Sequence, residues 1–291
     1  MSDARIIDSG YRRYDGPRHG EMHATVALWK FTLRRILGLG RPARWKLLPL
    51  LAIAIAYVPN IVFVGVTAIV PQDELREAVL PGYAFTYSFI TAAIGLFALF
   101  VAPEALCPDR RSGVLSLYLA TPLTRTRYIA AKAFAVFTSM QLVTMGPALL
   151  YLIGLSAQNA GPDGFGSFMA TLGRIVLGGV ILGAYFTGIS IAASSLTDRK
   201  AFASAGIFFF AQAVQIFIGV TVGALNAPKW LVAFAANSAA FQLVLTIFDE
   251  PVMFDLTYEI PLVALAAATA FWTFAGAGLA WYRYAKLRVT R

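Results

Sequence analysis

The groups that could do chemistry in this chain are few and badly placed for it. Of 291 residues, 15 are Asp or Glu, 2 are His and 1 is Cys. His19-Gly-Glu-Met-His23 sets two imidazoles four residues apart, the spacing of a helical metal pair, but with no third ligand beside them. Cys107 stands alone, so it forms neither an internal disulfide nor a metal site by itself. No G-x-x-x-x-G-K-[ST] loop is present to cradle nucleotide phosphates, and no G-x-G-x-x-G follows a strand. Every carboxylate falls in a polar stretch or at the edge of an apolar run, so none is paired for acid–base work or proton relay. The polar residues inside the apolar runs are amides: Asn60, Gln141, Gln212 and Gln215. Catalytic, cofactor-binding and metal-ligating residues are therefore not expected. The remaining candidate is the stretch Glu104–Lys132, basic at both ends, with a short apolar run Val114–Ala120 broken off by Thr121-Pro122.

The elements around that stretch follow from hydropathy. The chain is 58% hydrophobic and 13% charged, against about 25% charged in soluble domains. Several apolar runs exceed the roughly 18 residues of a membrane-crossing helix and lack the alternation of barrel strands. The expected fold is an all-α integral membrane protein with six transmembrane helices, at about 46–70, 79–103, 128–155, 169–196, 201–226 and 261–282. Residues 1–45 form a basic N-terminal segment without the pattern of a cleavable signal. Within it Met22, Val26, Trp29, Leu33 and Ile36 recur at helical spacing, which predicts an interfacial helix. Residues 104–127 form a loop, 227–260 a helical excursion between the fifth and sixth spans, and 284–291 a basic tail.

Charge orients the bundle. The side holding both termini, 104–132 and 198–200 carries 21 of the 24 Lys and Arg. By the positive-inside rule that side is cytoplasmic, with 227–260 extracellular. The same distribution accounts for the net charge of +9 through contact with anionic membrane lipid, and no nucleic-acid partner is expected. On the fifth span Phe208, Gln212, Gln215, Gly219 and Gly223 share one helical face. Those amides want partners or water at mid-membrane, which makes Gln212 and Gln215, with Asn60 on the first span, expected lining residues of a pathway. Interhelical hydrogen bonding is the plainer reading. Gly179-x-x-x-Gly183 and Gly219-x-x-x-Gly223 both permit close helix approach.

The loop resembles the one after the second span in permease subunits of type-2 ABC exporters from bacteria. The likeness rests on Glu104, Arg110-Arg-Ser-Gly113, Leu115–Leu119, Thr121-Pro-Leu123 and Arg125, with Tyr11-Arg-Arg-Tyr-Asp-Gly-Pro-Arg18 adding to it. Ser116 stands where the family often has Glu. The resemblance implies that Val114–Ala120 is a coupling helix seated in a separate nucleotide-binding ATPase subunit, which would hold the ATP and Mg. Glu104, Arg110, Arg111, Val114, Leu115, Leu117, Tyr118, Leu119 and Arg125 are the implied coupling residues. It also implies a multi-pass protein of the bacterial inner membrane that pairs with a second copy or a related permease. Two other readings stand beside it, the first within the same architecture and the second from another class. One is a force-transmitting subunit acting on an extracytoplasmic protein through 227–260; the other is a stand-alone channel or secondary carrier.

Overall fold

A computed structural model of the chain describes residues 20–69, 81–120, 122–236, 238–249 and 260–286. Residues 1–19 with His19 and the N-terminal motif, the acidic loop 71–78, Thr121, Asn237, the acids Glu250, Asp255 and Glu259, and the tail beyond 286 lie outside the described residues, as does the side chain of Leu119. Among the described residues there is no strand.

The helices among the described residues are α1 (Glu21–Ile36), α2 (Leu47–Ile69), α3 (Tyr83–Leu96), α4 (Cys107–Arg111), α5 (Leu115–Leu119), α6 (Arg125–Thr144), α7 (Gly146–Ala157), α8 (Gly164–Leu196), α9 (Lys200–Gly223), α10 (Ala239–Phe248) and α11 (Leu262–Lys286). Among the described residues six helical columns are long and apolar enough to cross a membrane, as the hydropathy predicts. Two are compound. α3 continues through a π-helical segment, Phe97–Val101, and a 3₁₀ turn, Ala102–Ala105, into α4, so the second column runs to Arg111 instead of stopping near 103. The third column breaks at Met145, because Pro147 lacks the N–H that would continue α6 into α7.

α8 is the spine. It packs against α6, α9, α10 and α11, and its inner face buries Ile175, Leu182, Tyr185 and Ile191. The crossing of α8 and α11 is a backbone contact: a Cβ on Gly276 would stand 2.4 Å from the Gly188 carbonyl oxygen. The two G-x-x-x-G patterns part company. Gly179 and Gly183 press on Met145 and Gln141, whereas a Cβ on Gly219 or Gly223 would meet nothing. α9 has the least of its surface covered by the rest of the chain.

The excursion after α9 is inserted, not laid over the end of the bundle. A 3₁₀ turn (Lys229–Phe234) and α10 form its described part. Phe248 and Asp249 meet Arg174 of α8, while the Ala236 carbonyl accepts a hydrogen bond from Tyr185 at 2.7 Å. Eleven residues of α8 separate those levels, a descent of about 16 Å, or half of a ~30 Å hydrocarbon core. The ten residues of α10 are too short for a seventh crossing. The carbonyl of Phe248 at its helix end takes Arg174 as a partner at 3.4 Å.

Candidate functional site

The basic ends of the columns converge on the 104–125 stretch. Pro108 in the first turn of α4 costs no hydrogen bond there, since the first N–H groups of a helix lack partners anyway. Gly113 closes α4 at φ +68°, a left-handed conformation that a side chain would strain, and re-aims the chain into α5. Thr124 then caps α6, its hydroxyl accepting from the Arg127 N–H at 3.3 Å.

Beneath α5 lies a buried charge cluster. Asp109, 1% exposed, pairs through one oxygen with Arg35 of α1 at 2.5 Å, and through the other with Lys132 of α6 at 2.6 Å and the Tyr128 hydroxyl at 2.8 Å. Lys132 is itself fully buried, its ammonium 5.6 and 5.5 Å from the rings of Tyr118 and Tyr128. Glu104, also buried, holds Arg41 at 2.7 Å, Arg35 at 3.5 Å and Lys200 at the head of α9. Removing charges from water costs several kcal/mol per ion, so such groups survive burial only when each is paired. Here two carboxylates answer four cations drawn from α1, the α1–α2 link, α6 and α9.

The arginines of the stretch act as clamps. Arg110 donates to the carbonyls of Ser195 and Thr197, the free acceptors at the C-terminal end of α8. Arg125 donates to the Ala285 carbonyl at 2.7 Å in the last turn of α11. Arg127 pairs with Glu21, pinning the start of α1 to α6. Arg111 is exposed and makes no ion pair among the described residues. Where Arg41 and Arg35 crowd together, burial and then the neighbouring guanidinium lower the Arg41 pKa. Burial and then Asp109 raise that of the Tyr118 phenol.

α5 is seated more deeply than its sequence suggests. Leu115 is buried, Val114 and Tyr118 are half-buried, and the Tyr118 ring lies 5.8 Å from that of Tyr128, which stacks on Tyr284 of α11. Leu117, 67% exposed, is an apolar side chain that α5 turns outward. The helix is thus a small apolar knob on a charged and aromatic bed. α1, expected to lie along the membrane surface, packs Leu28, Thr32 and Ile36 onto the bundle, chiefly α6, and leaves Met22, Val26 and Phe31 outward.

The expected lining residues do not share one surface. Gln212 is exposed and Gln215 half-buried on α9, and the side-chain amide oxygen Oε1 of Gln215 has no hydrogen-bond partner among the described residues. Asn60 is 1% exposed in the face of α2 that packs on α3 and α7, and donates to the Ala56 carbonyl at 3.1 Å. Sequence reasoning missed Asp109, Arg35, Tyr128 and Lys132 as a unit. An acid between two apolar columns, with a lysine just inside the start of the next, was the available signal.

Comparison with known proteins agrees with this architecture. The sequence model of a family described as ABC-2 family transporter protein matches residues 24–281. No match was found among curated proteins.

Proposed function

The chain belongs to the ABC-2 transporter family, a permease component of ABC transporters that crosses the membrane several times, and on that premise we propose that it is the membrane subunit of an exporter driven by separate ATPase subunits. The observation that carries this reading is α5: an outward Leu117 on a helix whose other side is locked into the ends of the spans. The basic end faces the cytoplasm, where two ATPase subunits holding ATP and Mg dock on two such permeases, identical or related.

The force path follows from the contacts. A push on Leu117 passes through Leu115 and Tyr118 into α6. Asp109 and Glu104 share it with α1 and α9, and Arg110 and Arg125 carry it to the ends of α8 and α11. Ion pairs and carbonyl clamps hold their geometry better than apolar contact alone, so displacement of a five-residue helix becomes rigid movement of several spans. The exposed face of α9, with Gln212 and Gln215, then borders the pathway at the junction with the second permease. Asn60 joins that lining only when α2 moves.

Two experiments test this. Leu117→Glu puts a charge into the proposed ATPase groove without touching the buried bed. Copurification of the ATPase and export should both fall by about tenfold or more, as expected for an unpaired buried charge, and the reading fails if both are unchanged. Tyr118 is a poorer target, because its ring packs inward. Gln212→Leu with Gln215→Leu should lower export several-fold while the complex still assembles. Export at the wild-type rate would remove these residues from the pathway.

A further inference from the structure

Two adjoining cavities open where the end of α1, the start of α2, the π segment and the head of α9 meet. One, of about 730 Å³, has apolar walls from Ile36, Leu48, Leu99, Phe100 and Phe208. The other, of about 1100 Å³, is bordered by Arg41, Arg111, Asp198 and Arg199. They share Arg35, Arg44, Trp45, Glu104 and Lys200 at their junction. Six cations and two carboxylates therefore face one continuous space. Arg35, Arg41 and Lys200 are held by Glu104. Arg44, Arg111 and Arg199 are exposed, and among the described residues none has a carboxylate within ion-pair distance.

We propose that this space binds an anionic amphiphile of the phospholipid type, its phosphate among Arg44, Arg111 and Arg199 and its acyl chain along Leu48, Leu99 and Phe208. Guanidinium forks match phosphate oxygens in pairs and make strong charge-assisted bonds. Among the described residues these three guanidiniums have no carboxylate partner, and a phosphate would offer them charge-assisted hydrogen bonds in place of water. A small anion would leave the apolar chamber unused. That chamber is walled by membrane-length helices, and Trp45 stands at their polar boundary, the depth of a headgroup. The basic end of the bundle is also the end that anionic lipid attracts. The inference holds whatever the protein moves and in whichever direction.

The source of the phosphate, bilayer lipid or soluble ester, is separated by one assay. The full-length protein is reconstituted in phosphatidylcholine vesicles doped with acyl-brominated phosphatidylglycerol. Quenching of Trp45 is read as the difference between the protein and its Trp45→Phe variant. Brominated phosphatidylglycerol should quench at a mole fraction about tenfold lower than brominated phosphatidylcholine, a difference of ~1.4 kcal/mol. Arg44→Gln/Arg111→Gln/Arg199→Gln should abolish that preference. These side chains are exposed and outside the Glu104 and Asp109 pairs, so the fold should persist. Ala205→Phe, which fills the apolar chamber and leaves every cation in place, should weaken quenching by both lipids. Equal quenching by the two lipids, or a preference that survives the triple variant, overturns the proposal. So does loss of quenching on addition of millimolar inorganic phosphate or glycerol phosphate, which would assign the cations to a soluble ester.

Discussion

Asp109→Ala will lower the stability of the protein by about 3–5 kcal/mol, the cost of leaving a buried partner charge uncompensated. The stranded group is Lys132, fully buried and without another carboxylate in ion-pair reach among the described residues. Arg35 keeps Glu104, so its loss is smaller. Tyr128 loses the acceptor for its hydroxyl, a further cost of about 1–3 kcal/mol if no other is found. The measurement is thermal unfolding of detergent-purified protein followed by size-exclusion elution. Asp109→Ala with Lys132→Met should recover much of the loss, because an apolar pair of similar volume fills the site without charge. If Asp109→Ala melts with the wild type, the cluster is not a structural keystone and the force path through it falls.

Gly276→Val is expected to be nearly as severe, for a steric reason. The new Cβ would stand 2.4 Å from the Gly188 carbonyl oxygen, and the obstructing atoms are helix backbone, which cannot rotate aside. α8 and α11 must separate, and overpacking of this kind costs about 1–3 kcal/mol or more. Gly188→Val should behave alike, since its Cβ would lie 2.7 Å from the Thr273 carbonyl oxygen. Gly219→Val supplies the control: it adds the same atoms where nothing lies within 4 Å, so the melting temperature of the single chain should hold. Equal destabilisation at 276 and 219 would show that helix propensity, not the crossing, is being measured.

The sequence was most legible where one physical term dominates. Run length alone places six crossings, since nothing but a helix satisfies about 20 consecutive backbone groups in lipid. The excursion after the fifth span was legible as helical, yet its depth was not, because insertion depends on Tyr185 and Trp272, far away in sequence, donating to Ala236 and Phe234. The 104–125 stretch stood out by charge and proline, but the uses of its residues did not. Arg110 and Arg125 reach carbonyls at the ends of α8 and α11, and a backbone acceptor leaves no mark in the residue string. Asp109 directly before Arg110 and Arg111 reads as a locally solvated pair, while its partners come from positions 35, 128 and 132. A five-residue helix is too short to display a period, so Leu115 and Leu117 look equivalent although one is buried and one exposed. The two G-x-x-x-G patterns are likewise identical as text and opposite in use.

The π segment at Phe97–Val101 has its loosened carbonyls taken by neighbours: Ser190 donates to Ala98 at 3.2 Å and Ser204 to Leu99 at 2.5 Å. A π turn holds roughly one residue more than an α turn, and one residue is about 100° of rotation. The second column therefore contains an absorbed insertion. Upstream, Tyr87, Ile90 and Ile94 set the phase of the buried face; downstream, the π turn and the 3₁₀ turn that follows it together set the phase of Glu104 and Asp109. A relative lacking one residue here would keep the same count of apolar runs and the same loop motif while swinging both carboxylates away from Arg35, Lys132 and Lys200. The number of residues between Tyr87 and Asp109 is thus an integer constraint on this chain, stricter than the identity of most residues counted.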